Sequence, residues 1–264
     1  MENATSALNV FARFCSDRKS PPLSATGTLI AEYIRWLGKT RSRATLRNRL
    51  VNLKLFWEWL IREQLVTHNP LSEVKPPLVH PSPIRPYSDR ELRRFAAVLR
   101  SPRDKALFWL YVGTGLRASE VLGLHPEDID FGAGLIRVRA KGGKVLVSCP
   151  GLRVMSTVRV YMAADYVGRG WLFPGQNGQH LTRNTLYCWL RRLAGRAKVE
   201  HATVHRFRHT FGHRFLDAGG NVGDLQILFG HSKIATTLNY VAYGAQDRAL
   251  ESQRRLNLAE KLGA

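Results

Sequence analysis

The sequence predicts a mainly α-helical protein with one small β-sheet: an all-α bundle first, then an α+β region. Three observations carry this. Apolar residues recur every three or four positions over most of the chain, the helical period. Residues 135–149 break that pattern with two β-type runs around a glycine pair. Residues 73–87, EVKPPLVHPSPIRPY, hold five of the twelve prolines, and such a run stays extended. A chain of 264 residues exceeds the usual ~100–200 per domain. The expected division is a helical domain at 1–75, a linker at 76–87 and a second domain at 88–264.

The elements follow in order. Residues 4–18 place Ala7, Leu8, Phe11, Phe14 and Cys15 on one helical face, and residues 24–38 do so with Leu29, Ile30, Tyr33, Ile34 and Leu37. A longer helix at 42–63 turns Leu46, Leu50, Leu53, Trp57, Leu60 and Ile61 inward and a basic face, Arg43, Arg47 and Lys54, outward. That face either meets phosphates or is simply solvated. The aromatic trio Phe56, Trp57 and Trp59 reads as core. Ser88 to Glu91 is a capping box, and Ser101-Pro102 opens the next helix, which stops at Gly113-Thr-Gly115. Residues 116–122 form a short helix with Arg117 in its first turn, and Glu120, three positions on, can meet it. Residues 135–140 and 144–149 form a hairpin around Lys141-Gly142-Gly143. Helices follow at 152–166 and 182–197, and a last one at 246–262.

Lys plus Arg number 40 against 20 acidic residues, a formal net charge of +20. Residues 1–75 carry +6 of it and the remainder +14. An excess spread over both parts indicates a polyanion, most commonly nucleic acid. No polybasic cluster beside an amphipathic anchor suggests a membrane, and no window holds the ~18 apolar residues that span one. The N-terminus lacks signal-peptide character. Cys15, Cys149 and Cys188 form no CxxC pair, so neither zinc ribbon nor disulfide framework is indicated, and a reducing cytoplasm suits the composition.

Residues 203–240 concentrate chemistry. His205, His209, His213 and His231 are interleaved with Phe207, Phe211 and Phe215, which share a helical face, and the stretch ends at Tyr240. Metal-free cleavage of a phosphodiester needs these residue types. A tyrosine can attack phosphorus but needs help losing its proton. Arginine forks match the non-bridging oxygens where charge develops. A lysine or histidine can protonate the leaving oxygen. Arg117, Lys141, His205, Arg208, His231 and Tyr240 offer this set. No carboxylate cluster of the kind that holds catalytic Mg²⁺ stands out, and no metal or other cofactor is expected.

The motifs Thr-Gly-Leu-Arg117-Ala-Ser-Glu120, Ala-Lys141-Gly-Gly-Lys144, His205-Arg-Phe-Arg208-His-Thr-Phe, Leu-Phe-Gly-His231-Ser and Thr-Thr-Leu-Asn-Tyr240 resemble those of the tyrosine recombinases, the phage-integrase and Xer-like family, in order and spacing. The resemblance covers about residues 88–243. It implies that Arg117 and Arg208 clamp the scissile phosphate and Tyr240 forms a 3′-phosphotyrosyl link. It further implies that Lys141 protonates the 5′-hydroxyl, His205 assists proton transfer at Tyr240, His231 bonds a non-bridging oxygen and Glu120 orients the site. Phe207 and Phe229 stand where leucine is common in the family. The bundle at 1–75 resembles the family's core-binding domain in size, helicity and charge alone. No arm-binding domain is expected ahead of it. Arg43, Arg47, Lys54 and Lys144 are the expected DNA contacts, and the two domains are expected to form a C-shaped clamp on the duplex. The family acts on double-stranded DNA as a homo-tetramer, through a Holliday junction, for integration, excision or resolution. A monomer or weak dimer is implied off DNA, and the last helix is implied to dock on a neighbour.

Lys144 in place of Lys141, and Tyr243 in place of Tyr240, remain as alternatives, as do a type IB topoisomerase, a non-catalytic DNA binder and a zinc site at His205, His209 and His213. The charge argument yields a prediction: DNA affinity measured against ionic strength falls steeply, because each neutralised phosphate releases counterions. A flat response contradicts it.

Overall fold

The structure is a computed structural model that describes residues 2–79, 84–140, 143–166, 168, 170–175, 178–241, 245 and 248–250. The chain divides into two compact units, Met1–Ser82 and Pro83–Ala264.

In the first unit, α1 (Glu2–Ser16), α2 (Gly27–Thr40) and α3 (Arg43–Arg62) enclose Phe11, Phe14, Ile30, Tyr33, Leu37, Leu50, Leu53 and Trp57. Thr26 and Ser42 cap α2 and α3 with side-chain oxygens, each taking a first-turn N–H that has no helical partner. A 3₁₀ turn, Pro22–Ser24, and the extended Ala25 occupy the expected start of α2, which begins instead after the Thr26 cap. Two expectations fail on α3. Ile61 is exposed rather than inward, and Trp59, 45% exposed, is not core. Leu46, Leu50, Leu53, Trp57 and Leu60 already fill the inner stripe, so Val51, Leu55 and Trp59 face solvent. Among the basic side chains, Arg43 is exposed, Arg47 donates to the Pro77 carbonyl at 3.1 Å, and Lys54 donates to the Ser72 carbonyl at 3.0 Å.

The second unit is helical around a three-stranded antiparallel sheet. Its order is α4 (Asp89–Ala97), α5 (Pro102–Thr114), α6 (Ala118–Leu122), β1 (Ile129–Asp130), β2 (Leu135–Arg139), β3 (Val145–Ser148), α7 (Leu152–Ala164), α8 (Arg183–Ala197), α9 (Val204–Asp217), α10 (Val222–Phe229) and α11 (Ile234–Val241). The hairpin is present, with Val138 opposite Leu146, and β1 adds a strand that the sequence did not announce. Arg117 is the N-cap of α6 rather than part of its first turn. The turn residues Lys141 and Gly142, the alternative nucleophile Tyr243, and most of the expected helix at 246–262 lie outside the described residues.

Helix α9 runs through the middle and is buried on more than one side. Its phenylalanines do not form one stripe. Phe207 enters the main core, with ring centroids 4.6–5.9 Å from Tyr87, Phe95, Phe108 and Tyr111. Burying such a ring contributes about 2–3 kcal/mol. Phe211 and Phe215 stack in a smaller, half-covered cluster with Leu225 and Phe229. Arg206 fixes α9 to the segment that precedes α4. It donates to the carbonyls of Arg85, Pro86 and Glu200 and to both carboxylate oxygens of Glu91, at 2.8 and 3.0 Å. Glu91 also closes the capping box with Ser88, and these bonds hold its carboxyl below the usual range against a desolvation that raises it.

Arg206 is buried and Glu91 half-buried, so removing the guanidinium leaves the carboxylate and three carbonyls without their donor. Arg206→Ala should therefore cost the full chain about 3 kcal/mol in urea unfolding. Arg214→Ala, whose pairing with Asp89 is solvent-exposed, should cost under about 1 kcal/mol. Equal effects contradict this assignment.

Candidate active site

The site is built where α6, α9, α10 and α11 converge. Helix α10 ends at Gly230, which adopts φ +59°, a left-handed conformation that glycine takes without penalty. Its N–H and that of His231 bond back to Gln226 and Ile227, turning the chain sharply. A Cβ at Gly230 would stand 2.8 Å from Leu146 of β3, so the position is tight as well as left-handed. The Phe229 carbonyl is left at the helix end, where the macrodipole is negative.

Both arginines use that carbonyl. Arg117 Nη1 donates to Phe229 O at 3.1 Å and Arg208 Nη2 donates to it at 3.0 Å. Arg117 also pairs with Glu120 Oε1 at 2.6 Å, while its own N–H donates to Glu120 Oε2 at 2.7 Å. Arg208 is 2% exposed, and it donates to the Gly115 carbonyl at 3.0 Å and lies 3.8 Å from Glu120 Oε2. Burial and the nearby Arg117 charge pull Arg208 down to about 10, while Tyr240 and Glu120 support its charge. It remains a cation at neutral pH.

His231 sits between Arg208 and α11. Its Nε2 is 3.0 Å from Arg208 Nη2 and its Nδ1 is 2.8 Å from Thr237 Oγ1. A guanidinium can only donate, so Nε2 accepts and Nδ1 carries the proton. Desolvation, then Arg208 and Arg117, push His231 down to about 4, so the ring is neutral. Tyr240 is 3% exposed and lies under this ring, stacked at 17° with centroids 6.1 Å apart. Its hydroxyl is directed at Arg208. Its ring also meets Phe229 and, at 4.6 Å, His209. His205 is exposed at the entrance and contacts His209 at 4.7 Å. Desolvation and the two arginines lower its pKa.

The structure thus gathers Arg117, Glu120, Arg208, His231 and Tyr240, with His205 at the rim. Lys144 is exposed at the hairpin turn, where its carbonyl accepts from Ala140 at 2.7 Å. Thr237 and the carbonyls of Phe229 and Gly115 had no signal in the sequence. His209 carried one, its spacing of four from His205, but nothing there showed that Tyr240 would cross above it. A cleft of about 360 Å³ opens on Arg117, Arg208 and His205. A larger groove of about 940 Å³, between Trp109, Phe131 and α7, contains none of the motif residues. Among the described residues no group of three or more His, Cys, Asp or Glu side chains could hold a metal ion.

His231 and His209, both lowered to about 4, bind fewer protons folded than unfolded. Their contribution to stability is complete above the unfolded value near 6.5 and is lost as pH falls from there toward 4. Chemical denaturation across that window should show the loss, and a His231→Asn, His209→Asn double variant should flatten it. An unchanged slope in the variant would remove these two residues as its source.

A sequence model of the phage integrase family matches residues 88–246. Tyrosine recombinase XerC of Pseudomonas aeruginosa is 30% identical over 233 residues, covering 84% of this chain and 76% of that protein. Tyrosine recombinase XerD of Shewanella oneidensis is 28% identical over 211 residues, covering 75% and 70%. Among solved structures, the Tn1549 transposon integrase in complex with circular intermediate DNA superposes with a TM-score of 0.65 at 25% identity, covering 83% of this chain and 82% of that one. No helix among the described residues is long and apolar enough to cross a membrane. The chain belongs to the phage integrase family and is a tyrosine-type site-specific recombinase.

Proposed function

We propose that the site performs reversible transesterification of a DNA strand, with Tyr240 as nucleophile. One observation supports this: Arg117 and Arg208 share the Phe229 carbonyl and line one cleft, and the buried Tyr240 interacts with Arg208 and supports its charge. The forks bind the two non-bridging oxygens and stabilise the charge that grows on them. The tyrosyl oxygen bonds to phosphorus, the bond to the 5′ oxygen breaks, and a 3′-phosphotyrosyl ester remains. The tyrosyl proton leaves toward His205 at the rim. Lys141, on the β2–β3 turn, gives its proton to the leaving 5′ oxygen. The ester conserves the bond energy, so a 5′-hydroxyl from a second duplex completes exchange without ATP.

Glu120 acts by holding Arg117 and Arg208. His231 reaches a non-bridging oxygen once Arg208 Nη2 leaves its Nε2 and the ring proton is carried on Nε2 instead of Nδ1, with the Thr237 hydroxyl then donating to Nδ1. Arg43, Arg47, Lys54 and Lys144 supply contacts to the DNA backbone. The active assembly is a homo-tetramer on two duplexes, acting in the cytoplasm.

The test uses a nicked suicide duplex of the sequence that the protein captures covalently in its host. Wild type accumulates covalent complex and Tyr240→Phe gives none; any persisting complex moves the nucleophile elsewhere. A second prediction separates the lysines. Lys141→Ala should slow cleavage by about 10²–10⁴-fold, the range of a general acid, and a 5′-bridging sulfur, which leaves without a proton, should restore the rate. Lys144→Ala should need no such rescue. The reverse pattern assigns the acid to Lys144.

A further inference from the structure

The cleft that holds Arg117 and Arg208 contains a third arginine that the mechanism does not use. Arg183 is the first residue of α8 and lines the same cavity, with Ser119 and His205 and the apolar Leu116, Ala118 and Val204. Arg183 therefore borders this space from a different element than Arg117 at the start of α6 and Arg208 on α9. None of the lining residues is acidic; Glu120 stands behind the arginines and does not line the cavity. The lining is thus cationic and hydroxylic with an apolar floor, which suits a sugar–phosphate strand. About 360 Å³ is more than one phosphate group fills. The forks of Arg117 and Arg208 already match the two non-bridging oxygens of a single phosphodiester. A third arginine bordering the same cleft suits a different phosphate. Its place at the start of a 15-residue helix adds the positive end of the α8 dipole to its own charge.

We infer that Arg183 is a further binding residue of this site and that it grips the phosphate next to the scissile one on the cleaved strand. The inference rests on the cleavage reading above. Arg183 positions the strand rather than meeting the reacting atoms. It fixes the backbone on one side of the scissile phosphate so that the phosphorus is presented to Tyr240.

The experiment compares wild type, Arg183→Gln and Arg183→Lys as full chains on suicide duplexes of the captured sequence. Each phosphate flanking the scissile one is replaced in turn by a neutral methylphosphonate. At one position the replacement should lower the wild-type covalent yield by about tenfold, the scale of one charge-assisted hydrogen bond. At that position it should leave Arg183→Gln, already lowered, unchanged, and Arg183→Lys should fall between. On an unmodified duplex, Arg183→Gln should reduce the slope of log affinity against log salt by about 1 while the thermal midpoint stays at the wild-type value. Additive losses at every flanking position, or a wild-type salt slope in Arg183→Gln, would overturn the inference. Should wild type form no covalent complex at all, the cleavage reading fails, and the salt slope on the unmodified duplex still decides whether Arg183 meets a phosphate.

Discussion

Two guanidinium cations are held side by side, and the Phe229 carbonyl between them is what the rest of the site depends on. Like charges at such separation repel, and one of them, Arg208, is almost fully buried. A buried charge without partners costs several kcal/mol. The repulsion is offset by the negative end of α10, by the Glu120 carboxylate and by the Gly115 carbonyl. Each compensating group has its own structural requirement. The α10 end must stop at Gly230 against Leu146, which ties the hairpin to the arginines. Glu120 must face back toward its own N-cap, which the short α6 ensures. The two cations are thus held together by groups of the fold itself, and the cost of bringing them together is met at folding.

The same field decides the protonation of the histidines. Burial alone disfavours imidazolium, and two arginines nearby disfavour it further. His231 and His209 are therefore neutral at neutral pH, so they contribute fixed dipoles and lone pairs rather than charge. The orientation of His231 follows from its neighbours: Arg208 can only donate to it, so its remaining proton points to Thr237 on α11. Thr237 and Tyr240 lie one turn apart on that helix. The histidine thereby links the arginine on α9 to the helix that carries the tyrosine, and α11 is placed by polar contacts where its apolar surface is small.

Much of this was legible from residue types at fixed spacing. Arg117 and Glu120, three positions apart, meet as the sequence indicates. Five motifs in family order located Arg208, His231 and Tyr240 in one site, which spacing alone could not do. Other parts were silent for physical reasons. Main-chain carbonyls carry no side-chain signature, so neither Phe229 nor Gly115 could be read as an arginine partner. A strand of two residues, β1, is too short to show alternation. On α3 the positions 51, 55 and 59 repeat at helical spacing as faithfully as the buried set does, and only the assembled bundle shows which stripe is covered. The phenylalanines of α9 mislead in the opposite way: equal spacing suggests one face, but α9 is central, and Phe207 and Phe211 enter different clusters.

The donor inventory shows what this arrangement leaves for a ligand. A guanidinium has five N–H groups. Arg117 spends two on Glu120 and Phe229, and Arg208 spends three on Gly115, Phe229 and His231. The remaining N–H groups outnumber the two non-bridging oxygens of a phosphodiester, so a bound phosphate need not break the bonds to Glu120, Phe229 and Gly115 that keep the cations together. Arg208 is also the cation that the Tyr240 hydroxyl faces. On the proposed cleavage reading, phosphate in the cleft makes nucleophile and electrophile partners of the same buried group. Their approach is then set by a rigid planar fork instead of by two independent side chains, which is the condition under which orientation contributes most to rate. A neutral or flexible residue at position 208 could bind phosphate or face the tyrosine, but it could not impose one geometry on both.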